Sequence, residues 1–146
     1  LNKELQKDIM QLIHKLLAVP FALLVLSSCA KTKSTTAKCA DDVICTMMFA
    51  AVTVTVTDNT GAAVTLDEMY TTRDDNGEKI TLDQPDGGNN YTVLNDSYVK
   101  KLQNTQAAFH FIGIKDGKQV INEPYTISAD CCHIKKVSGK SEIALP

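Results

Sequence analysis

Asp130, Cys131, Cys132 and His133 stand in a row, and Cys39 and Cys45 lie about ninety residues earlier, so the groups best able to do chemistry are thiols and an imidazole. Thiolates and imidazoles are the ligands that zinc prefers, four at a time. The spacing speaks against a closed zinc site. Cys39 and Cys45 are six positions apart, wider than the usual ligand pair, and adjacent cysteines on a strand project to opposite faces. A redox pair would call for Cys-x-x-Cys in a βαβ setting, and the chain has neither around these residues. A metal-binding or redox protein centred on Cys131, Cys132 and His133 therefore stands as an alternative function. The other histidines are His14 and His110. In AAFHFIGI, strand alternation sets Phe109 and Phe111 on one face and His110, Ile112 and Ile114 on the other, the pattern of a partly buried sheet histidine. No Gly-x-Ser-x-Gly elbow or comparable nucleophile signature occurs, so no catalytic residue is expected and the chain reads as non-enzymatic. The acidic stretch at residues 74–78, with Asp83 and Asp86 nearby, lacks the alternating ligand positions of an EF-hand and reads as an exposed turn.

The fifth cysteine has a different setting. Leu26, Ser27, Ser28 and Cys29 close an apolar run that begins at Leu16. This ending of small residues and then cysteine resembles the lipobox of bacterial lipoprotein precursors. The resemblance implies cleavage between Ser28 and Cys29 and a diacylglyceryl group on the Cys29 sulfur, with no other cofactor. The run of about eleven apolar residues matches a signal-peptide core and is too short to cross ~30 Å of hydrocarbon as a helix. Residues 1–28 are thus expected to be a lipoprotein signal peptide with a helical core, residues 29–38 a lipidated cysteine and tether, and residues 39–146 one domain. Read from Met10, the signal becomes MQLIHKLLAVPFALLVLSSC, with His14 and Lys15 ahead of the apolar core, so Met10 is a possible true start.

Cleavage there would leave 146 − 28 = 118 residues, the size of one modest domain. Removing Lys3, Lys7 and Lys15 from 15 basic residues and Glu4 and Asp8 from 17 acidic ones leaves 12 and 15, a net charge of −3. That balance offers no electrostatic footprint for nucleic acid and no basic patch for anionic headgroups. Membrane attachment then falls to the lipid, where two or three acyl chains hold durably and one only marginally. With Cys29 lipidated, Cys39, Cys45, Cys131 and Cys132 remain, an even number in an oxidising envelope. A bond between adjacent Cys131 and Cys132 would need a strained ring. Two disulfides joining the region of Cys39 and Cys45 to that of Cys131 and Cys132 are expected, with both such connectivities open.

The elements that must position these residues are short strands. AKTKSTTAK at residues 30–38 has no large apolar residue and reads as a tether reaching at most ~35 Å. Val52, Val54 and Val56 alternate with Thr53, Thr55 and Thr57, a period of two in β-branched residues. Residues 58–61 predict a turn and residues 64–73 weaker strand material. Asp74, Asp75, Asn76 and Gly77 predict a hairpin, with Asn-Gly supplying the two positive φ angles of a type I′ turn and residues 78–82 returning. A loop at residues 85–90 and a short strand at 91–94 follow. Asp96 or Ser97 is expected to cap a helical turn that puts Tyr98 and Leu102 on one side. Residues 107–114 and 118–128 flank Asp116 and Gly117 as a second hairpin, and residues 133–137 and 142–145 are the last strands. Seven or eight short strands with regular turns predict an all-β chain, a single antiparallel β-sandwich. Low aromatic content and the absence of Trp argue against an antibody-type Ig domain.

VTVTVTDNTGAAV at residues 52–64 resembles the opening of carboxypeptidase-regulatory-like and related Ig-like or transthyretin-like modules, in which a strand ends in Asp, a Gly-containing turn follows and the next strand begins at Val. Ala63 stands where those modules often have Pro. Such modules are accessory domains, so the resemblance carries over no catalytic residue. Together with the lipobox it implies a non-enzymatic lipoprotein of the Gram-negative envelope that docks a protein or glycan through loops or an edge strand. A purely structural scaffold is the nearest rival. Ala30, where an Asp would signal inner-membrane retention, favours the outer membrane, with the periplasmic face slightly preferred over the cell surface.

Overall fold

The computed structural model describes residues 38–84 and 88–146, all within one compact unit, Thr35–Pro146. The signal segment with its expected helix, Met10, His14, Ser28, Cys29 and Asp86 lie outside the described residues.

Period-two alternation in β-branched residues produces β1 (Ala51–Asp58), whose Val52, Val54 and Val56 are buried while the intervening threonines are half-buried. Asp58 ends the strand because its carboxylate accepts from Thr60 N, Thr60 Oγ1 and Ala62 N at 2.8, 2.6 and 2.9 Å, folding the chain back on itself. The chain then forms β2 (Glu68–Arg73), β3 (Lys79–Ile80), β4 (Asn90–Asn95), a 3-10 turn (Asp96–Tyr98), α1 (Val99–Leu102), β5 (Thr105–Lys115), β6 (Lys118–Ala129), β7 (Ile134–Ser138) and β8 (Glu142–Leu145).

These eight strands make two sheets, β4-β1-β8 and β3-β2-β5-β6-β7. The all-β expectation holds at that level. Side chains from both sheets fill one core, with Val54, Val56, Val93 and Leu94 from the first and Phe109, Phe111, Tyr125 and Ile127 from the second. Thr71 on β2 donates its hydroxyl to the Val93 carbonyl on β4 at 2.6 Å, a buried bond from one sheet to the other. Tyr91 Oη donates to Val64 O at 3.0 Å and accepts from Leu66 N at 2.8 Å, which fixes the stretch before β2 without a strand ladder.

Three expectations need correction. First, β8 pairs parallel to β1, from Thr55 opposite Glu142 to Asp58 opposite Leu145, so the fold is not purely antiparallel. Residues between β7 and β8 carry the chain from the larger sheet to the smaller one, where β8 takes the edge of β1 that β4 leaves open. Second, at the first hairpin only Gly77 has positive φ (69°), and Gly77 N donates to Arg73 O at 2.8 Å across a wider turn than type I′. The type I′ signature appears instead at Asp116 and Gly117, with φ of 52° and 70° between paired Lys115 and Lys118. Third, the helical turn is capped by Asn95, whose side chain accepts from Ser97 N at 3.1 Å. Tyr98 and Leu102 are buried, as the spacing requires.

Candidate functional site

Strand β6 ends at Ala129, and the four residues before β7 make a tight connection. Asp130 Oδ1 accepts from Cys132 N and His133 N at 2.7 and 2.8 Å, and these two bonds hold its carboxyl below the usual range. The connection thus presents Cys131, Cys132 and His133 in a fixed array. Cys39 bonds to Cys131 and Cys45 to Cys132, with Cα–Cα distances of 5.6 and 5.4 Å. The structure resolves the connectivity that the sequence leaves open. Asn104, held at a φ of 53°, donates its side-chain amide toward the sulfurs of Cys39 and Cys131 at 3.2 and 3.4 Å.

His133 lies between two partners. Its Nδ1 is 2.7 Å from Asp96 Oδ2 and its Nε2 is 2.8 Å from Thr46 Oγ1. Asp96 also accepts from Ala50 N at 2.7 Å and from Ile134 N at 2.8 Å. Burial pushes the Asp96 carboxyl up, but the bonds from Ala50 N, His133 and Ile134 N outweigh it and leave the group below its usual range. The order carboxylate, imidazole, hydroxyl matches the orienter, base and nucleophile of hydrolytic triads. Two backbone N–H groups also reach this carboxylate, which thereby joins residue 50, the 3-10 turn and β7 in one structural knot. Cys45, Thr46 and Ala50 are therefore three fixed points on a segment that forms neither helix nor strand.

Among the described residues no cluster of three or more His, Cys, Asp and Glu is placed to hold a metal ion. The sulfurs of Cys131 and Cys132 are engaged in disulfides and His133 in its two hydrogen bonds. His110 is a half-exposed sheet residue with Nδ1 2.8 Å from Asp74 Oδ1. In the acidic turn, Asp75 pairs with Arg73 at 2.8 Å, and Glu78 pairs with Lys101 and accepts from Tyr98 Oη at 2.6 Å.

A cleft of about 620 Å³ opens at the other end of the strands, lined by Asp58, Val64, Thr65, Lys115, Val120 and Leu145 among others. β1 runs from the Ala50 knot to Asp58, roughly 25 Å at the usual strand rise, so the cleft and the disulfides occupy opposite poles. The sequence carries no signal for this cleft, which is assembled from five separate parts of the chain. It likewise carries none for the roles of Thr46 and Asp96, whose partner is His133. No family model, curated protein or solved structure matches this chain.

Proposed function

We propose that the protein is a lipid-anchored, non-enzymatic component of the bacterial cell envelope, at the outer membrane, whose domain is an Ig-like or transthyretin-like β-sandwich that binds a protein or glycan. The observation that carries this reading is the covalent staple at the root of the tether. Cys39, ten positions after Cys29, is bonded to Cys131, and Cys45 to the neighbouring Cys132. Paired disulfides persist in an oxidising envelope, and their placement joins an anchored N-terminal segment covalently to the sheet. The cleft between Asp58, Lys115 and Leu145 would then face away from the membrane, where a loop-borne partner site is useful.

The test is replacement of Cys29 by Ser in cells fed a radiolabelled fatty acid. Loss of label together with release of the protein from membranes is the expected result. Continued labelling of the Cys29→Ser protein would show that the anchor lies elsewhere and refute the reading.

A further inference from the structure

The segment between the staple and β1 carries large apolar side chains with no cover. Ile44 is 96% exposed, Met47 105%, Met48 78% and Phe49 68%. Their neighbours are fixed: Cys45 by its disulfide, Thr46 by His133 and Ala50 by Asp96. The exposed residues are therefore displayed by a clamped loop, and three of them are consecutive. Runs of this kind on a folded surface mark an interaction site.

We infer that Ile44, Met47, Met48 and Phe49 form a lipid-docking surface that seats the domain on the bilayer to which it is anchored. This rests on the lipid-anchor reading above. The argument for lipid as the occupant is the length of chain that leads to it. Cys39 and Cys45 are bonded to adjacent residues, so both ends of the intervening loop sit at one spot on the domain. Cys39 lies ten positions after Cys29, a span that cannot exceed ~35 Å even when fully extended. The bilayer is thus the surface that these side chains meet at the highest effective concentration. Asp41 pairs with Lys38 at 3.7 Å and Asp42 is exposed beside Val43 and Ile44, so the docking face itself carries no cation and its contact with lipid is an apolar insertion.

The chain contains no Trp, so Phe49→Trp introduces a single fluorescent reporter into the acylated full-length protein. The protein is reconstituted in phosphatidylcholine vesicles whose acyl chains are brominated, and Lys118→Trp, at the tip of the β5-β6 hairpin, serves as the distant comparison. Insertion to the ~5–10 Å depth of an interfacial apolar face should quench roughly half of the emission of the Phe49→Trp protein and leave that of the Lys118→Trp protein unchanged. Adding Met47→Asp and Met48→Asp to Phe49→Trp should abolish the quenching while the protein still floats with the vesicles. Unquenched emission from a floating Phe49→Trp protein overturns the docking surface and leaves the anchor intact, as does quenching that survives both aspartates. A protein that carries no acyl chain refutes the anchor, and the indole emission of that Phe49→Trp protein is then measured with excess brominated vesicles. Quenched emission there upholds the docking surface, and unchanged emission overturns it.

Discussion

Removing the two disulfides one at a time should cost much less than half of removing both. Cys39–Cys131 spans 92 positions and Cys45–Cys132 spans 87, so either bond alone closes nearly the same loop in the unfolded chain. In the chain-entropy relation each bond by itself stabilises by about 4.6 kcal/mol. Once one bond is in place, the second closes only a small ring running through residues 39 to 45 and back through 131 and 132. That ring of about nine residues contributes roughly 2.6 kcal/mol. The double variant Cys39→Ser/Cys131→Ser, or Cys45→Ser/Cys132→Ser, should therefore lose about 2.6 kcal/mol, and the quadruple variant about 7 kcal/mol. The assay is equilibrium urea unfolding of the unit Thr35–Pro146, followed by circular dichroism under non-reducing conditions. Losses near 4.6 kcal/mol for each double variant, adding simply in the quadruple one, would mean that the two loops act independently and would refute the small-ring argument.

Two other perturbations probe the core and the knot. Gly139 has a φ of 120°, and a Cβ there would lie 2.2 Å from Tyr125 Cδ1, so Gly139→Ala adds a clash to backbone strain. The expected loss is roughly 2–6 kcal/mol in urea unfolding, against a smaller one for Gly61→Ala, where φ is 84° and nothing lies within 4 Å; equal losses would deny the Tyr125 contact. The Asp96 carboxyl is held below its usual range facing His133, with Asp130 nearby as a repelling charge, so its stabilisation is complete above the unfolded value of about 4 and disappears as pH falls through the lower folded value. Asp96→Asn turns an amide N–H toward an existing donor and should cost about 1–3 kcal/mol at neutral pH, with a shallower acid loss than the parent protein; parallel pH profiles would remove Asp96 from the knot.

Legibility varied with the range of the interaction. The valine and threonine alternation of β1, the Asp58 turn, the β5-β6 hairpin at Asp116 and Gly117, and the face division around His110 follow from steric and hydrogen-bonding rules acting within a few residues. The turn at Asn76 and Gly77 has the same local chemistry, yet the strands it joins meet in a different register, with Thr72 opposite Lys79. Local preference yields there to pairing. Asn95 displaced Asp96 as helix cap because the Asp96 carboxylate is drawn toward Ala50, His133 and Ile134.

The parallel course of β8 beside β1 depends on which sheet the last strand joins, and nothing within residues 142–145 encodes that. The pairing of the cysteines is a matter of the same kind.

By itself the sequence determined the strand-rich character, the alternating core positions of β1, the two-residue turn at residues 116 and 117, and the four cysteines beyond Cys29, because each is a property of neighbouring residues. Only the tertiary structure decided which strands share each sheet, the pairing of Cys39 with Cys131 and Cys45 with Cys132, the contact of His133 with Thr46 and Asp96, and the exposure of residues 47–49 on a clamped loop. Those depend on groups as many as 92 positions apart meeting in space, and the meeting is dictated by burial of the shared core and not by any local motif.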